Sequence, residues 1–290
     1  MPKDCLKLSK RAALEKHTEK PMRRGFIGFF FYHLGMLISR LAIRFEIRGL
    51  ENLPREGSYL IAANHETYVD GMWILSCLPK AQAKRFCCIG AQDLLSKYGF
   101  FGRVIMRVGR GIPINRFGSP IRALNAAKAA LDANRILLIH PEGTRTRNGK
   151  LGRIQEGACF IAKKAARPVV PCFLDGGYEI FSRYMNFPRL RDPKTGRKSR
   201  LIIRFGEPLR PEQYANMREM NQALRDWLHR AFEAKEVPRA YDPALIRKYP
   251  EPSEESEADA ETRRKTRRLS HLAKLRSERK MASKFSTLEN

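Results

Sequence analysis

A histidine and a carboxylate stand five residues apart in "NHETYVDG", residues 64–71, directly after the apolar run "YLIAA". Histidine's ordinary pKa lies close to neutrality, which suits it to general-base work. A neighbouring carboxylate holds one tautomer and steadies the imidazolium that forms. His65 and Asp70 could be such a pair. On a single helix, about 100° per residue would turn them to different faces. They can meet only if the chain turns between them. The order of apolar strand, polar turn and "GMWILSCL" allows that turn at a strand-to-helix junction. The competing reading is structural, with Asn64 or Asp70 capping the helix that follows.

A second stretch, "IHPEGTRTRNG" (139–149), also follows an apolar run, "RILLI". Gly143 would let backbone approach a ligand closely, and neighbouring N–H groups can hold an anion. Arg145 offers planar, bidentate recognition of a phosphate. A third stretch, "GRGIPINR", ends at Arg116, a second candidate phosphate ligand. Taken singly, each arginine reads better as a solvated loop residue.

The elements that must carry these residues alternate. Short strand-like runs are "RFEIRG", "YLIAAN", "RFCCIG", "GIPIN", "RILLIH", "VVPCFL" and "RLIIRFG". Helical stretches lie between them: "GMWILSCL", "DLLSKYGFFGRVIMRVG", "SPIRALNAAKAALDAN" and "EGACFIAKKAA". In the third, Ser119 is placed to cap, Pro120 opens the first turn, and Ile121, Leu124 and Leu131 share a face. Residues 212–235 read as one closing helix. The alternation predicts an α/β domain with a mixed, mostly buried sheet flanked by helices.

With 290 residues and 43% hydrophobic content, the chain can bury a substantial core. A net charge of +26 points to anionic partners or surfaces. The six cysteines form no CxxC pair and no zinc-ligand spacing with histidine, so they read as reduced thiols, most of them core filler. Arg23 and Arg24 precede the apolar run "GFIGFFFYHLGMLISRLAI" (25–43). It is borderline as a spanning helix, since His33 and Arg40 lie within it. A helix lying in the membrane interface fits better. The expected organisation is a basic lead and membrane-associated helix over 1–44 and a catalytic domain over 45–240. An acidic linker over 241–262 and a basic, helical tail over 263–290 complete it. The "RRKTRR" tail invites a nucleic-acid reading, but no helix-turn-helix, zinc-finger or RNA-recognition signature accompanies it, and no specific nucleic acid is expected. The absence of a GxSxG elbow argues against a serine hydrolase.

Taken in order, "NHETYVD", "GIPINR", "PEGTR" and "VVPCFL" resemble the four blocks of the glycerolipid acyltransferases, whose best-known members act on lysophosphatidic acid. The resemblance covers about residues 45–210. It implies a catalytic pair at His65 and Asp70, a phosphate-binding Arg116, and glycerophosphate binding by Glu142, Gly143, Thr144 and Arg145; the fourth block's proline falls on Pro171. It further implies acyl transfer from acyl-CoA or acyl-carrier-protein to the sn-2 hydroxyl of 1-acylglycerol-3-phosphate. Glycerol-3-phosphate, a lyso-ornithine lipid or another lysophospholipid are alternative acceptors. No cofactor and no metal are implied. The expected place is an anionic membrane surface, on the cytoplasmic face of the plasma (inner) membrane. The chain departs from the pattern at Pro113, at His140, where phenylalanine is usual, and at Gln155, where many members carry lysine.

Overall fold

The computed structural model describes residues 20–115, 120–192 and 195–238. The expected linker and tail, together with Arg116, Ser119 and Cys5, lie outside them. In chain order the elements are α1 (Gly25–Ala42), β1 (Ile43–Arg48), β2 (Tyr59–Ala63), α2 (Asp70–Cys77), α3 (Lys80–Ala83) and β3 (Phe86–Ala91). Then come α4 (Asp93–Lys97), α5 (Gly99–Val108), β4 (Gly111–Ile114), α6 (Pro120–Asp132) and β5 (Ile136–Ile139). The last are α7 (Gly157–Ala165), β6 (Val169–Asp175), α8 (Gly177–Phe181), β7 (Ser199–Phe205) and α9 (Met217–Glu233).

The strands form one sheet in the order β1-β7-β6-β2-β5-β3-β4, parallel except for the β6–β7 pair. Helices cover both faces, which explains why β2 and β6, up to its terminal Asp175, are continuous apolar runs rather than alternating: every residue of each is buried. Tyr59, Ile61 and Ala63 face one core with Met36 of α1, Trp73 of α2 and Val104 of α5. Leu60 and Ala62 face the other with Leu131 of α6, Cys159 of α7 and Leu224 of α9. Cys87 and Cys88, adjacent on β3, serve opposite cores, and the five described cysteines are free thiols.

Pro171 sits in a central strand, where a missing N–H is normally costly. Its carbonyl accepts the Gly206 N–H at 2.8 Å, and pairing resumes between Val169 and Leu209. Two residues of β6 therefore oppose three on the other side, a bulge that absorbs the lost bond.

Three expectations need correction. The run 93–108 is two helices, because Gly99 takes a left-handed φ of 50°. The closing helix starts at Met217, not 212; Asn216 caps it by accepting the Glu219 N–H at 3.0 Å, and a short 3-10 turn over Pro211–Gln213 precedes it. Ile121 is 66% exposed, since the first turn of α6 projects past the core that receives Leu131.

Helix α1 touches the domain from end to end. Met22 N–H donates to the Gly111 carbonyl (3.0 Å), Phe31 meets Phe100 edge-on (6.2 Å between centroids), and the Trp73 indole N–H donates to Ser39 Oγ (3.2 Å). Its other face is bare: Phe26, Phe29, Phe30, Leu37, Ile38 and Leu41 are exposed, as are Phe100 and Phe101 on α5. Strand β1 is parallel to β7 and therefore antiparallel to β2 and β6. So α1 hands over to β1 at the edge of the sheet where β2 and β6 end.

Candidate active site

Strands β2 and β5 are neighbours, with Ala62 opposite Ile139. The residues just past their ends therefore emerge side by side, and both long-range motifs start there. Ligands of open α/β sheets bind in the crevice at this carboxyl edge. The His65 and His140 rings stack at 3.9 Å with 9° between planes.

The loop 64–69 is held from several sides. The Asn64 side chain makes a two-point clip on β6, donating to the Leu174 carbonyl (3.0 Å) and accepting the Leu174 N–H (2.7 Å). Glu142 accepts the His65 backbone N–H (2.7 Å) on one oxygen and the Gly152 N–H (2.7 Å) on the other. Thr146 N–H donates to the His65 carbonyl (2.8 Å). Asp70, fully buried, accepts from the backbone N–H groups of Glu66 (2.7 Å) and Thr67 (2.9 Å), from Thr67 Oγ1 (2.7 Å) and from His65 Nδ1 (2.9 Å). It does not cap α2 in the usual sense. Val69 is the N-cap residue, without a side-chain cap bond, and the Asp70 carboxylate turns back into the loop. Asn64 likewise caps nothing.

These bonds set the protonation pattern. Burial alone would push Asp70 up, but the His65 hydrogen bond, the electrostatic pull of the two imidazoles and the Thr67 N–H outweigh it and hold the carboxyl below its ordinary value. An ionised Asp70 is an acceptor only, so His65 Nδ1 carries a proton, and in the neutral ring it is Nε2 that keeps the lone pair. The His65 side chain is 22% exposed, so that lone pair is reachable. His140 Nδ1 points at the carbonyls of Ala63 (3.1 Å) and Asn64 (2.9 Å), which fixes it as a donor. Burial, then repulsion from His65, pulls His140 down to about 3, so it stays neutral. Burial pushes Glu142 up to about 7 against the pull of its two N–H donors.

His65, Asp70 and His140 place ligand atoms within 4.8 Å of one another. That proximity does not make a good metal site. In-plane lone pairs of stacked rings run parallel instead of converging, and both Nδ1 atoms are already hydrogen-bonded. What the arrangement can do is accept a proton at His65 Nε2.

Gly143 and Arg145, candidates for holding an anion, are brought to the same edge. Gly143 adopts a left-handed φ of 69°, with its N–H donating to the His140 carbonyl (2.9 Å). Gln155 Nε2 lies near the Glu142 carbonyl at 3.4 Å. The Arg145 guanidinium lies over the Tyr68 ring at 3.3 Å, and the Tyr68 hydroxyl donates to that of Tyr98 (2.7 Å). Arg183 Nη1 donates to the Arg145 carbonyl (3.3 Å). Tyr68 lay within the first motif but gave no sign of its partner, and Arg183 belongs to no motif.

A second layer was also invisible in the sequence. Lys235, just beyond α9 and with its side chain 2% exposed, reaches Glu179 (3.3 Å), Glu66 (3.8 Å) and Asp175 (3.8 Å). Burial would lower its pKa, but these carboxylates outweigh burial and raise it. Glu66 also accepts the Tyr178 N–H (2.8 Å). The residue after His65 is thus tied through Lys235 to the far end of the domain.

One consequence is measurable. The folded chain resists protonating His140 until about pH 3, whereas an unfolded histidine titrates near 6.5. Stability from this group is complete above pH 6.5 and is lost as pH falls towards 3. In urea titrations, His140→Phe is expected to lose less stability than the parent across that window; equal acid losses would contradict the assignment.

The comparisons with known proteins agree with this layout. The sequence profile of the family described as "Acyltransferase" matches residues 44–175. Human 1-acyl-sn-glycerol-3-phosphate acyltransferase beta is 31% identical over 166 residues, 56% of this chain and 53% of that protein. The 1-acyl-sn-glycerol-3-phosphate acyltransferase of Helicobacter pylori is 32% identical over 146 residues, 48% of this chain and 59% of that one. The chain thus spans about half the length of the curated relatives it matches. The crystal structure of the 1-acyl-sn-glycerophosphate (LPA) acyltransferase PlsC from Thermotoga maritima shares the fold, with a TM-score of 0.56, 21% identity, and coverage of 74% of this chain and 82% of that one. Residues 44–175 thus carry the sequence profile described as "Acyltransferase", and the chain is similar to 1-acyl-sn-glycerol-3-phosphate acyltransferases over about half of their length.

Proposed function

We propose that the chain transfers a fatty acyl group from an acyl thioester to the sn-2 hydroxyl of 1-acylglycerol-3-phosphate, giving phosphatidic acid. The observation that carries this reading is His65 held by ionised Asp70, with Nε2 free, beside an arginine suited to phosphate. The names of the relatives supply the acceptor.

In this mechanism His65 Nε2 removes the acceptor hydroxyl proton as the oxygen attacks the thioester carbonyl. Asp70 steadies the imidazolium. The tetrahedral intermediate collapses, the C–S bond breaks, and the imidazolium returns its proton to the departing sulfur. The enzyme needs no covalent nucleophile and no cofactor for these steps. Acyl-CoA and acyl-carrier-protein present the same thioester, and either serves as donor. The Gly143 N–H is committed to His140. An oxyanion donor from this turn would therefore be the N–H of Thr144 or Arg145. Glu142 is reassigned: with both oxygens on backbone N–H groups, it positions the His65 loop and does not meet the substrate's phosphate. Arg145 holds that phosphate, joined by Arg116 on the strength of the second motif.

The acceptor and product are lipids, so the enzyme must meet a bilayer. Helix α1 is docked along its length, from the Met22–Gly111 bond to the Ser39–Trp73 bond. A helix so held lies flat with its bare phenylalanine and leucine face in the interface, rather than crossing. Exposed Arg40 and Arg44 stand where anionic headgroups would lie. The cytoplasmic face of the inner membrane is the side on which either thioester donor is found.

With labelled acyl thioester and 1-acylglycerol-3-phosphate in detergent micelles, phosphatidic acid is the expected product; acylation of a different lyso-lipid alone would move the acceptor assignment. Arg145→Ala is expected to raise the acceptor KM roughly 10- to 100-fold, the worth of a charge-assisted hydrogen bond. Unchanged acceptor kinetics would remove that role. Phe26→Ser with Phe101→Ser should lower liposome partitioning at least about tenfold, since burying each ring contributes roughly 1.5–3 kcal/mol. Undiminished partitioning would place the membrane contact elsewhere.

A further inference from the structure

Most of the well-placed arginines along the outer strands have carboxylates. Arg48 and Arg200 pair with Glu46 and Glu236, and Arg204 pairs with Asp175 and Glu236. Arg145 and Arg183 differ. Among the described residues neither has a carboxylate within 4.0 Å, although they lie together, with Arg183 Nη1 on the Arg145 carbonyl. Arg145 is half-buried against the Tyr68 ring. Burial and then the neighbouring Arg183 charge lower its pKa, and Asp70 is close enough to act on it in the opposite sense. The positive charge of Arg183 reaches Tyr68 as well. Two neighbouring arginines, partly desolvated and without a carboxylate partner, repel each other unless an anion lies near both.

We propose that Arg183 is the second guanidinium of the acceptor's phosphate clamp, and that the Arg145–Arg183 pair selects a phosphate monoester over a diester. The proposal rests on the acyl-transfer reading above. Arg183 follows α8 and lies beyond residues 44–175, so no motif points to it. Its position is set by the fold. Helix α8 starts where β6 ends, at the carboxyl edge that carries His65. Its Tyr178 N–H is bound by Glu66 of the histidine loop (2.8 Å), and Arg183 itself by the Arg145 carbonyl. A monoester such as 1-acylglycerol-3-phosphate carries close to two charges near pH 7, with a second pKa of about 6, while a diester carries one. Two fixed guanidiniums match the first and leave the second under-charged. The pair is reached from Tyr68 and Tyr98, and Tyr98 borders α5 with its exposed Phe100 and Phe101.

The competing explanation is that Arg183 only ties the 142–150 loop in place. Monoester-over-diester selectivity separates the two: Arg183→Gln removes the charge, whereas a loosened loop would weaken both esters alike. The expected result is an acceptor KM for 1-acylglycerol-3-phosphate raised about tenfold, with kcat within about twofold. Selectivity for this monoester over 1-acylglycerophosphoglycerol, a diester, should fall by about the same factor. Arg183→Lys should recover part of the loss; if lysine recovers none in a folded protein, charge is not the cause and the proposal fails. Dodecyl phosphate and its methyl diester, titrated into wild type and Arg183→Gln in detergent, test the clamp without any chemistry. Tighter binding of the monoester by wild type, lost about tenfold in Arg183→Gln, upholds the clamp even if the acyl acceptor proves to be another lipid. Equal binding of dodecyl phosphate by both proteins overturns it. So does a loss confined to kcat.

Discussion

A carboxylate with no exposed surface must find donors for its oxygens, and Asp70 finds them within five residues of itself. The N–H groups of Glu66 and Thr67, the Thr67 hydroxyl and His65 Nδ1 all point at it. Satisfying that buried charge curls the loop into the only shape that brings the histidine back over the start of α2. The same bonds keep Asp70 ionised, and an ionised Asp70 dictates the His65 tautomer. Fold, protonation state and chemistry therefore depend on one side chain. The β2–β5 ladder and the Glu142 bridge then align the second loop on the first.

The surroundings make this arrangement rigid and give it an orientation. Asn64 pins the loop to β6, and the Lys235 cage ties Glu66 to the chain after α9. His140, stacked on His65 where an aromatic hydrocarbon would also fit, is kept neutral by burial and by two carbonyl acceptors. It fills space beside the base without competing for its proton. The apolar helix reaches the same edge of the sheet from the other side, because β1 runs against β2 and begins where β6 ends. The proposed base and the bare apolar face are thus brought to one edge of the sheet by one topology.

Much of this was legible in the sequence for a definable reason. Strands covered on both faces are short continuous apolar runs, and each of the seven strand-like runs became a strand. His65 and Asp70 were legible because their chemistry requires a turn between them, and the strand–turn–helix order supplied one. Other features depend on contacts between residues far apart in the chain. Nothing near Lys235 announces three carboxylates from other elements, and nothing near Arg183 announces Arg145. Glu142 is a related case. Its motif suggests a substrate, but its partners, the His65 and Gly152 N–H groups, appear only once the two loops fold together. The break at Gly99 was hidden because periodicity continues across it, whereas the left-handed φ does not show in an apolar pattern.

The most direct test of the account is acyl transfer by His65→Ala beside wild type, with dodecyl phosphate binding measured on the same preparations. The account predicts that the variant binds the phosphate as wild type does and loses acyl transfer by at least about a hundredfold, the lower range of general-base catalysis. A folded His65→Ala protein that still forms phosphatidic acid at a comparable rate would contradict it, because His140, the imidazole stacked on His65, is held neutral by burial and makes a poor base.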